Sequence, residues 1–339
     1  MKAAYIGILG PGSTSRMRAE TLKRLTPGWT WKWIDTDIPM LRSSRAWQTL
    51  AFRMNVGAAV ARINRFVLSE LKDAELDLAW IDKAVFLHPA TILDVRRRSR
   101  RMAHYTPDTA FHQNRSRHFE RTMGTFDLLI TTKAFELNDY TMFVGKEKIL
   151  LTTQGYDAET HYPRRLSEDR RFAAAFAGLA EADRMRCVEA LIQHEVPVRL
   201  AGRGWEAFVD RHAGNRHLEF VGEDVHGDAY ADFLSESWVG LGLLSKRFPE
   251  LHTTRTFEIP ACGAVLATER TTDTSRFFDD DEAIFFDDYD SLALKLAETF
   301  RGTPDSLMSV ATKGSARVRR DGRDYATILG RILSDSRLT

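Results

Sequence analysis

Residues 250–269 read ELHTTRTFEIPACGAVLATE and decide the fold class. A polar start, a short run that stops at Gly263 and a second, apolar run predict a helix that feeds a buried strand, as in a β-α-β unit. The first N–H groups of such a helix lack intrahelical partners and carry the positive end of its dipole, so they favour a phosphate group. We therefore expect Thr253, Thr254 and Arg255 to face phosphate.

Length, charge and cysteine content define the class of protein. The 339 residues are enough for two domains that each bury a core. With 48 basic and 47 acidic residues, the charge gives no indication of a nucleic-acid partner. Cys187 and Cys262 lie far apart in apolar surroundings, so neither a disulfide framework nor a zinc site is expected. No apolar stretch approaches the roughly 20 residues of a membrane span. We expect a soluble cytoplasmic protein.

The first half of the chain alternates apolar runs and helical spacing, which is typical of a doubly wound α/β domain. The predicted strands are residues 3–9, 29–34, 77–82, 102–108, 126–133 and 149–151. Residues 46–71 have apolar positions at helical spacing throughout, and their aromatic residues Trp47, Phe52 and Phe66 are expected in the core. The polar, Gly- and Pro-bearing chain after residue 151 indicates a domain boundary near Gly155.

His104 and Asp108 bracket the carboxyl end of the strand predicted at 102–108. Open α/β sheets bind ligands at this edge, and an imidazole beside a carboxylate suits acid–base contact with a hydroxyl group. We therefore predict a catalytic role for both, with stabilisation of the Pro-Asp turn as the alternative. The basic run at 96–101 has two interpretations as well: docking of anionic lipid headgroups, or a solvated helix end.

Short motifs spread over most of the chain carry a family resemblance. They are IDK at 81–83, HYTPD at 104–108, TTK at 131–133, QGYD at 154–157, GRGW at 202–205 and TTRTFEIPACG at 253–263, followed by ATER. They resemble motifs of the glycosyltransferases related to the spore maturation protein CgeB, most densely in the second half. The resemblance implies a GT-B fold, in which two Rossmann-like doubly wound domains face a central cleft. Residues 1–155 would form the acceptor-side domain, residues 156–320 the nucleotide-sugar-binding domain, and residues 321–339 a helix that crosses back to the first domain.

The resemblance also assigns donor-binding roles. Glu258 would accept hydrogen bonds from the ribose hydroxyls. Glu250, eight positions earlier, would lie near the donor sugar as in the retaining enzymes of family 4, and shares a helical face with Glu258 only if the intervening chain is helical. Arg184 would stabilise the charge that develops on the leaving diphosphate. Further candidates for contact with the donor are Gly202, Arg203 and Lys246.

Two departures from related enzymes concern the diphosphate and the metal. Leu179 stands where many family 4 enzymes have a second cation. The letters DxD occur at residues 35–37, early in the acceptor domain rather than in the strand-end context of metal-dependent glycosyltransferases. We therefore expect no metal and no cofactor besides the donor, since helix dipole and cations can replace the metal.

The sequence thus predicts a glycosyltransferase. It would transfer a sugar from a nucleotide donor to a glycan, lipid-linked or protein acceptor, with retention of configuration, without a metal ion and in surface polysaccharide biosynthesis. Peripheral contact with the inner face of the membrane is a further expectation. The alternatives are a non-catalytic protein that binds a nucleotide sugar or a glycan, and an epimerase of nucleotide sugars that would use His104 and Asp108.

Overall fold

The structure is a computed structural model that describes residues 1–338. The chain forms two compact units, the first made of residues 1–153 together with the chain from Tyr325, the second of residues 154–324. Each unit holds one six-stranded sheet whose strands are all parallel. The predicted α/β class with two doubly wound sheets is therefore confirmed. The sequence predicted that the chain passes from the first domain to the second after residue 155 and leaves the second after residue 320. In the structure, the chain passes between the two units after Thr153 and after Asp324.

The first unit is a sheet covered by helices on both faces. Its strands are β1 (Lys2–Gly7), β2 (Thr30–Asp35), β3 (Leu76–Asp82), β4 (Ser99–Thr106), β5 (Leu128–Thr131) and β6 (Ile149–Leu151). Their order in the sheet is β2-β1-β3-β4-β5-β6. Its helices are α1 (Thr14–Leu25), α2 (Asp37–Leu41), α3 (Arg45–Met54), α4 (Ala58–Glu70), α5 (Pro89–Arg98), α6 (Arg117–Glu120), α7 (Leu137–Thr141) and, after the chain returns, α15 (Tyr325–Leu333).

The second unit has the same architecture. Its strands are β7 (Arg171–Ala177), β8 (Val198–Ala201), β9 (Leu218–Gly222), β10 (Ser237–Leu241), β11 (Val265–Glu269) and β12 (Ile284–Phe286). Their order is β12-β11-β10-β7-β8-β9. Its helices are α8 (Ala182–Gln193), α9 (Glu206–Arg211), α10 (Gly227–Ser235), α11 (Arg255–Ala261), α12 (Thr274–Phe277), α13 (Tyr289–Thr299) and α14 (Pro304–Arg320).

The strand orders locate the places where ligands bind in such sheets. In the first unit the chain reverses its direction of progress between β1 and β3, and in the second between β7 and β10. Connections on opposite sides of these neighbouring strands open a crevice at their carboxyl ends. Residues 250–269 come after β10 and contain α11 and β11, so they lie beside the second of these reversals.

The predicted helix at 46–71 is two helices, α3 and α4. Asn55 ends α3 in the left-handed region with φ 55°, and Gly57 follows with φ 103°. On α3, the side chain of Trp47 is 42% exposed and that of Phe52 is 66% exposed. The prediction that these two residues lie in the core is therefore wrong. Phe66 is partly buried against the core, as expected.

A buried ion pair connects α1 with β3 in the first unit, and the first residue of α15 packs against it. Arg18 of α1 lies 2.8 Å from Oδ2 of Asp82 through both Nε and Nη2, and Tyr5 donates its hydroxyl to the same oxygen at 2.7 Å. The guanidinium also packs over the rings of Tyr105 and Tyr325, the latter the first residue of α15. Asp82 is the last residue of β3, at the edge of the sheet where ligands bind in such folds, but its buried carboxylate is committed to Arg18 and Tyr5. Within residues 1–338, no helix is long and apolar enough to cross a bilayer.

Candidate functional site

The loops that follow β7 and β8 pack closely together, and the first of them lies at the reversal of the second sheet. Gly178, just after β7, has its carbonyl oxygen so close to Gly202 that a Cβ on Gly202 would lie 2.2 Å from it, and Gly202 has a φ of 120°. Trp205 donates its indole N–H to the same oxygen at 2.9 Å. Gly202, predicted to contact the donor, therefore lets the loop after β8 pack on the loop after β7 and fixes the latter in place.

Beside this loop, the guanidinium groups of Arg184 and Arg255 both pack against the ring of Phe176. The guanidinium carbons of Arg184 and Arg255 lie 5.6 and 5.4 Å from the centroid of the Phe176 ring, at the carboxyl end of β7. Arg255 donates to the carbonyl oxygens of Ala177 and Leu243 at 3.4 and 3.2 Å. The Nε atoms of both arginines are buried and have no hydrogen-bond partner among the described residues. Sequence reasoning expected both side chains at a phosphate, and the structure brings them together.

The two charges oppose each other. Burial, followed by the charge of Arg255, lowers the pKa of Arg184 to about 10, although the carboxylates of Glu181, Glu250 and Glu269 act in the other direction. Like charges held close together are costly unless an anion joins them. Since each guanidinium retains an unused N–H donor, the arrangement suits a phosphate-bearing ligand, whose oxygens accept charge-assisted hydrogen bonds.

Carboxylates hold the loop after β10 around the arginines. Glu181 lies 2.9 Å from Arg184 and accepts the hydroxyl of Ser245 at 2.8 Å. Glu250 accepts the N–H of Ser245 at 3.4 Å. Lys246, another predicted donor contact, is paired with Glu269 at 3.1 Å. Within residues 1–338, no three His, Cys, Asp or Glu side chains are grouped so that they could hold a metal ion.

Glu258 is buried in the first turn of α11, and its carboxylate is oriented by a neighbour. Tyr230 of α10 donates its hydroxyl to Oε2 at 2.9 Å. Nε2 of His161 lies 3.9 Å from Oε1, while Nδ1 of His161 accepts the N–H of Asp157 at 3.2 Å. That acceptor role leaves the proton on Nε2, so both neighbours present hydrogens towards Glu258. Burial and the Glu258 carboxylate raise the pKa of Tyr230 well above its ordinary value, which keeps its hydroxyl a donor.

The start of α11 differs from the expected phosphate site. The helix has seven residues and Pro260 inside it, so its dipole is short. Thr254 makes no side-chain cap, and the hydroxyl of Thr253 is buried without a hydrogen-bond partner among the described residues. Glu250 lies before the helix in irregular chain, so the condition under which it would share a helical face with Glu258 is not met. Positive charge here comes mainly from Arg255 and Arg184.

Arg203 stands apart from this cluster. Its side chain is largely exposed and pairs with the equally exposed Asp224 at 3.0 Å, which is a weak surface interaction. Its neighbours Gly202 and Gly204 both have positive φ values, of 120° and 83°. The structure therefore places Arg203 on a tight, solvent-facing turn.

In the first unit, the predicted pair His104 and Asp108 is separated. His104 lies in the core, where its ring stacks on Phe119 at 4.2 Å and its Nε2 accepts the N–H of Ala84 at 3.3 Å. Burial lowers its pKa to about 3, so it stays neutral and cannot reach a substrate. The prediction of a catalytic His104 is therefore corrected, and the epimerase alternative loses the group it required. Asp108 is half exposed and lies 2.5 Å from Nζ of Lys83.

A cavity of about 400 Å³ opens at this edge of the first sheet. Phe52 and Phe86 form an edge-to-face pair in its wall, with ring centroids 5.5 Å apart. The loop after β4 supplies another wall, which Glu136 fixes: this buried carboxylate accepts the N–H groups of Ala110 and Phe111 at 2.8 and 3.0 Å. Lys83 faces the cavity with a φ of 60°, a strained conformation for a residue with a side chain, and such strain is concentrated at functional sites.

Sequence reasoning missed three residues of the second-unit site. Phe176 reads as an ordinary strand residue, although it carries both guanidinium groups. Tyr230 lies on a different helix from Glu258, 28 positions away, and His161 falls in the polar chain that was taken as a linker. No spacing rule connects residues on different elements, so only the hydrogen-bonding need of a buried carboxylate pointed to a partner.

A known protein family resembles the second half of the chain. Residues 184–334 match a family model described as "Glycosyl transferase-like". The matched segment begins at Arg184 and includes Glu250, Arg255 and Glu258. Curated protein sequences contain no match to the chain.

Solved structures match over nearly the whole chain. HepE from Anabaena, solved with UDP and glucose, has 12% sequence identity and a TM-score of 0.64, with 98% of both chains covered. Sucrose-phosphate synthase from Thermosynechococcus elongatus has 13% identity and a TM-score of 0.68, with the same coverage. An α,α-trehalose-phosphate synthase from Burkholderia vietnamiensis has 10% identity and a TM-score of 0.65, with both chains fully covered. The chain therefore has the fold of GT-B glycosyltransferases.

Proposed function

We propose that this chain is a glycosyltransferase whose second unit binds a nucleoside-diphosphate sugar. The observation that carries the proposal is the pair Arg184 and Arg255, which pack on Phe176 at the reversal of the sheet with unused, buried Nε donors. A diphosphate offers acceptor oxygens for these Nε donors and negative charge beyond that of Glu181, which pairs with Arg184. The charge that develops on the leaving diphosphate would be stabilised by the same groups.

Glu258 is the proposed ribose contact. Its carboxylate is fixed by Tyr230 through Oε2, and a carboxylate is suited to accept the two vicinal hydroxyls of a ribose. The retaining outcome is proposed from the sequence spacing of Glu250 and Glu258 alone, since the two glutamates do not share a helical face. Donor binding without a metal ion is a further part of the proposal, since the two guanidiniums can supply the positive charge.

The cavity of the first unit is the proposed acceptor site. Aromatic faces and polar side chains together suit a glycan, and Phe52 and Phe86 stand in its wall. Membership of the CgeB-like group and a part in surface polysaccharide biosynthesis remain proposals that rest on the sequence motifs.

A binding screen tests this function. Thermal shift and calorimetry with UDP, GDP, CMP and dTDP should find one nucleotide that stabilises the protein, because a ligand of the native state raises its melting temperature. UDP comes first, since the Anabaena HepE structure contains it. No response to any of these nucleotides or their sugars would contradict the proposal. Slow hydrolysis of the selected donor separates an enzyme from a binding protein, activity in EDTA tests the metal, and proton NMR of the product reports the anomeric configuration.

A further inference from the structure

Residues 38–69 form a basic surface without acidic groups. This segment covers α3, most of α2 and nearly all of α4, and contains five arginines but no aspartate or glutamate. The arginines are Arg42, Arg45, Arg53, Arg62 and Arg65. All five are exposed, and none forms an ion pair with a carboxylate in the part of the chain that the structure describes. Other arginines of the first unit, by contrast, pair with carboxylates, among them Arg16, Arg96 and Arg115.

The same segment of the chain also carries large, exposed apolar side chains. Leu41, Phe52 and Met54 are 68%, 66% and 63% exposed, and Trp47 and Val56 are also exposed. Helix α3 has ten residues and buries only Ala51 among them. Packing within the unit accounts for Phe52, which pairs with Phe86, but not for the high exposure of Leu41 and Met54. We call residues 38–56 the α2–α3 surface.

The basic run at 96–101 is a weaker candidate for the lipid contact that the sequence suggested. Arg96 lies 2.5 Å from Asp127, and both Arg97 and Arg98 pair with Asp94, at 3.1 and 2.7 Å. These carboxylates cancel most of the charge. The α2–α3 surface, by contrast, combines uncompensated charge with apolar side chains.

We propose that the α2–α3 surface docks on a bilayer of anionic phospholipids. A ten-residue helix is about 15 Å long, so α3 can lie in the membrane plane rather than enter it. Trp47 has the ring type that favours the lipid–water interface, and Leu41 and Met54 can enter the acyl boundary. Guanidinium groups then reach the lipid phosphates, while their aliphatic stems stay with the apolar side chains.

A second copy of the chain is the less favourable occupant. A symmetric dimer through this surface would place its unpaired arginines opposite identical ones, which is repulsive. An anionic bilayer instead offers negative charge at every point of a flat surface.

Vesicle flotation with the full chain tests the proposal. We expect binding to vesicles of phosphatidylcholine with phosphatidylglycerol, and none to phosphatidylcholine alone. The triple variant R42Q/R45Q/R53Q should bind about 100-fold more weakly, since each arginine near an anionic surface strengthens binding by roughly fivefold. The matched control R97Q/R100Q/R331Q removes the same charge from exposed positions elsewhere in the unit and should bind like the wild type.

Two further measurements separate docking from general charge attraction. L41S/M54S alters only exposed side chains, so it should keep the melting temperature and lose most of the vesicle binding. Brominated lipids should quench tryptophan fluorescence, and Trp47→Phe should remove that quenching. The proposal is overturned by absence of binding to anionic vesicles, by equal losses in both arginine triples, by full binding of L41S/M54S, or by a dimer that L41S/M54S dissociates.

Discussion

Replacement of Arg184 by glutamine tests the phosphate site directly. Its Nε is buried without a partner, and its Nη1 is already used by Glu181 at 2.9 Å and by the carbonyl of Leu179 at 3.0 Å. A ligand phosphate would thus gain one charge-assisted hydrogen bond from Nε, worth about 1.5–3 kcal/mol. We expect Arg184→Gln to weaken binding of the selected nucleoside diphosphate by roughly 10- to 100-fold.

The fold should survive this change. Glu181 keeps the hydroxyl of Ser245 at 2.8 Å, and the repulsion between Arg184 and Arg255 disappears. The gain from relieved repulsion offsets part of the lost ion pair, so we expect only a small change in the melting temperature of the free protein. Stability and affinity therefore respond differently to one substitution.

Calorimetry with the nucleoside diphosphate and with the bare nucleoside measures the effect. Only the diphosphate should lose affinity, because the nucleoside lacks the groups that Arg184 binds. Arg186→Gln is the control: Arg186 lies on the same helix, is largely exposed and pairs with Asp183. An equal loss for diphosphate and nucleoside, an equal loss in Arg186→Gln, or unchanged diphosphate affinity in Arg184→Gln would refute the reasoning.

Three other substitutions test the remaining parts of the structure. Tyr230→Phe removes the donor to Glu258, so affinity for the ribonucleotide should fall towards that of its 2′-deoxy analogue in calorimetry; a preserved ratio between the two would contradict the ribose role. Arg18→Met leaves Asp82 buried without its cation, and urea denaturation should show a loss of about 3–5 kcal/mol in unfolding free energy, part of which Asp82→Asn restores. Because His104 has a pKa of about 3 when folded and its ordinary value near 6.5 when unfolded, the unfolded chain binds more protons between these values. Stability should therefore fall by up to about 1.4 kcal/mol per pH unit below pH 6.5, and His104→Gln should flatten this slope.

The sequence predicted most strands because parallel strands covered on both faces are continuous apolar runs. The strand predicted at residues 149–151 has the bounds of β6, and the strand predicted at residues 77–82 begins one residue after β3 does. The helix at 46–71 failed for a local reason, since Asn55 and Gly57 carried a break signal that apolar spacing outweighed. Strand order was beyond reach, because it depends on pairings between distant residues.

The site was predictable only in part, and His104 shows why. Its position near the end of a strand suggested the ligand edge, but a strand alternates its side chains between two faces, and the face of His104 is covered by Phe119. Arg255 was found from the chemistry of its own segment, and Arg184 only through family resemblance. Both arginines contact Phe176 only in the folded structure, because the three residues lie on different elements, and no single stretch of sequence indicates this contact.

Buried arginines occur in both units, and their partners distinguish structure from function. Arg18 has the carboxylate of Asp82 at 2.8 Å and tyrosine rings around it, so its charge is answered within the fold. Arg184 also has a carboxylate partner, Glu181 at 2.9 Å, but it lies beside the like charge of Arg255, and each of these two arginines retains a buried Nε donor that the described residues do not use. A fold gains nothing from this repulsion, whereas a site that must attract a phosphate group does. The physical case for a donor site in the second unit depends on this difference.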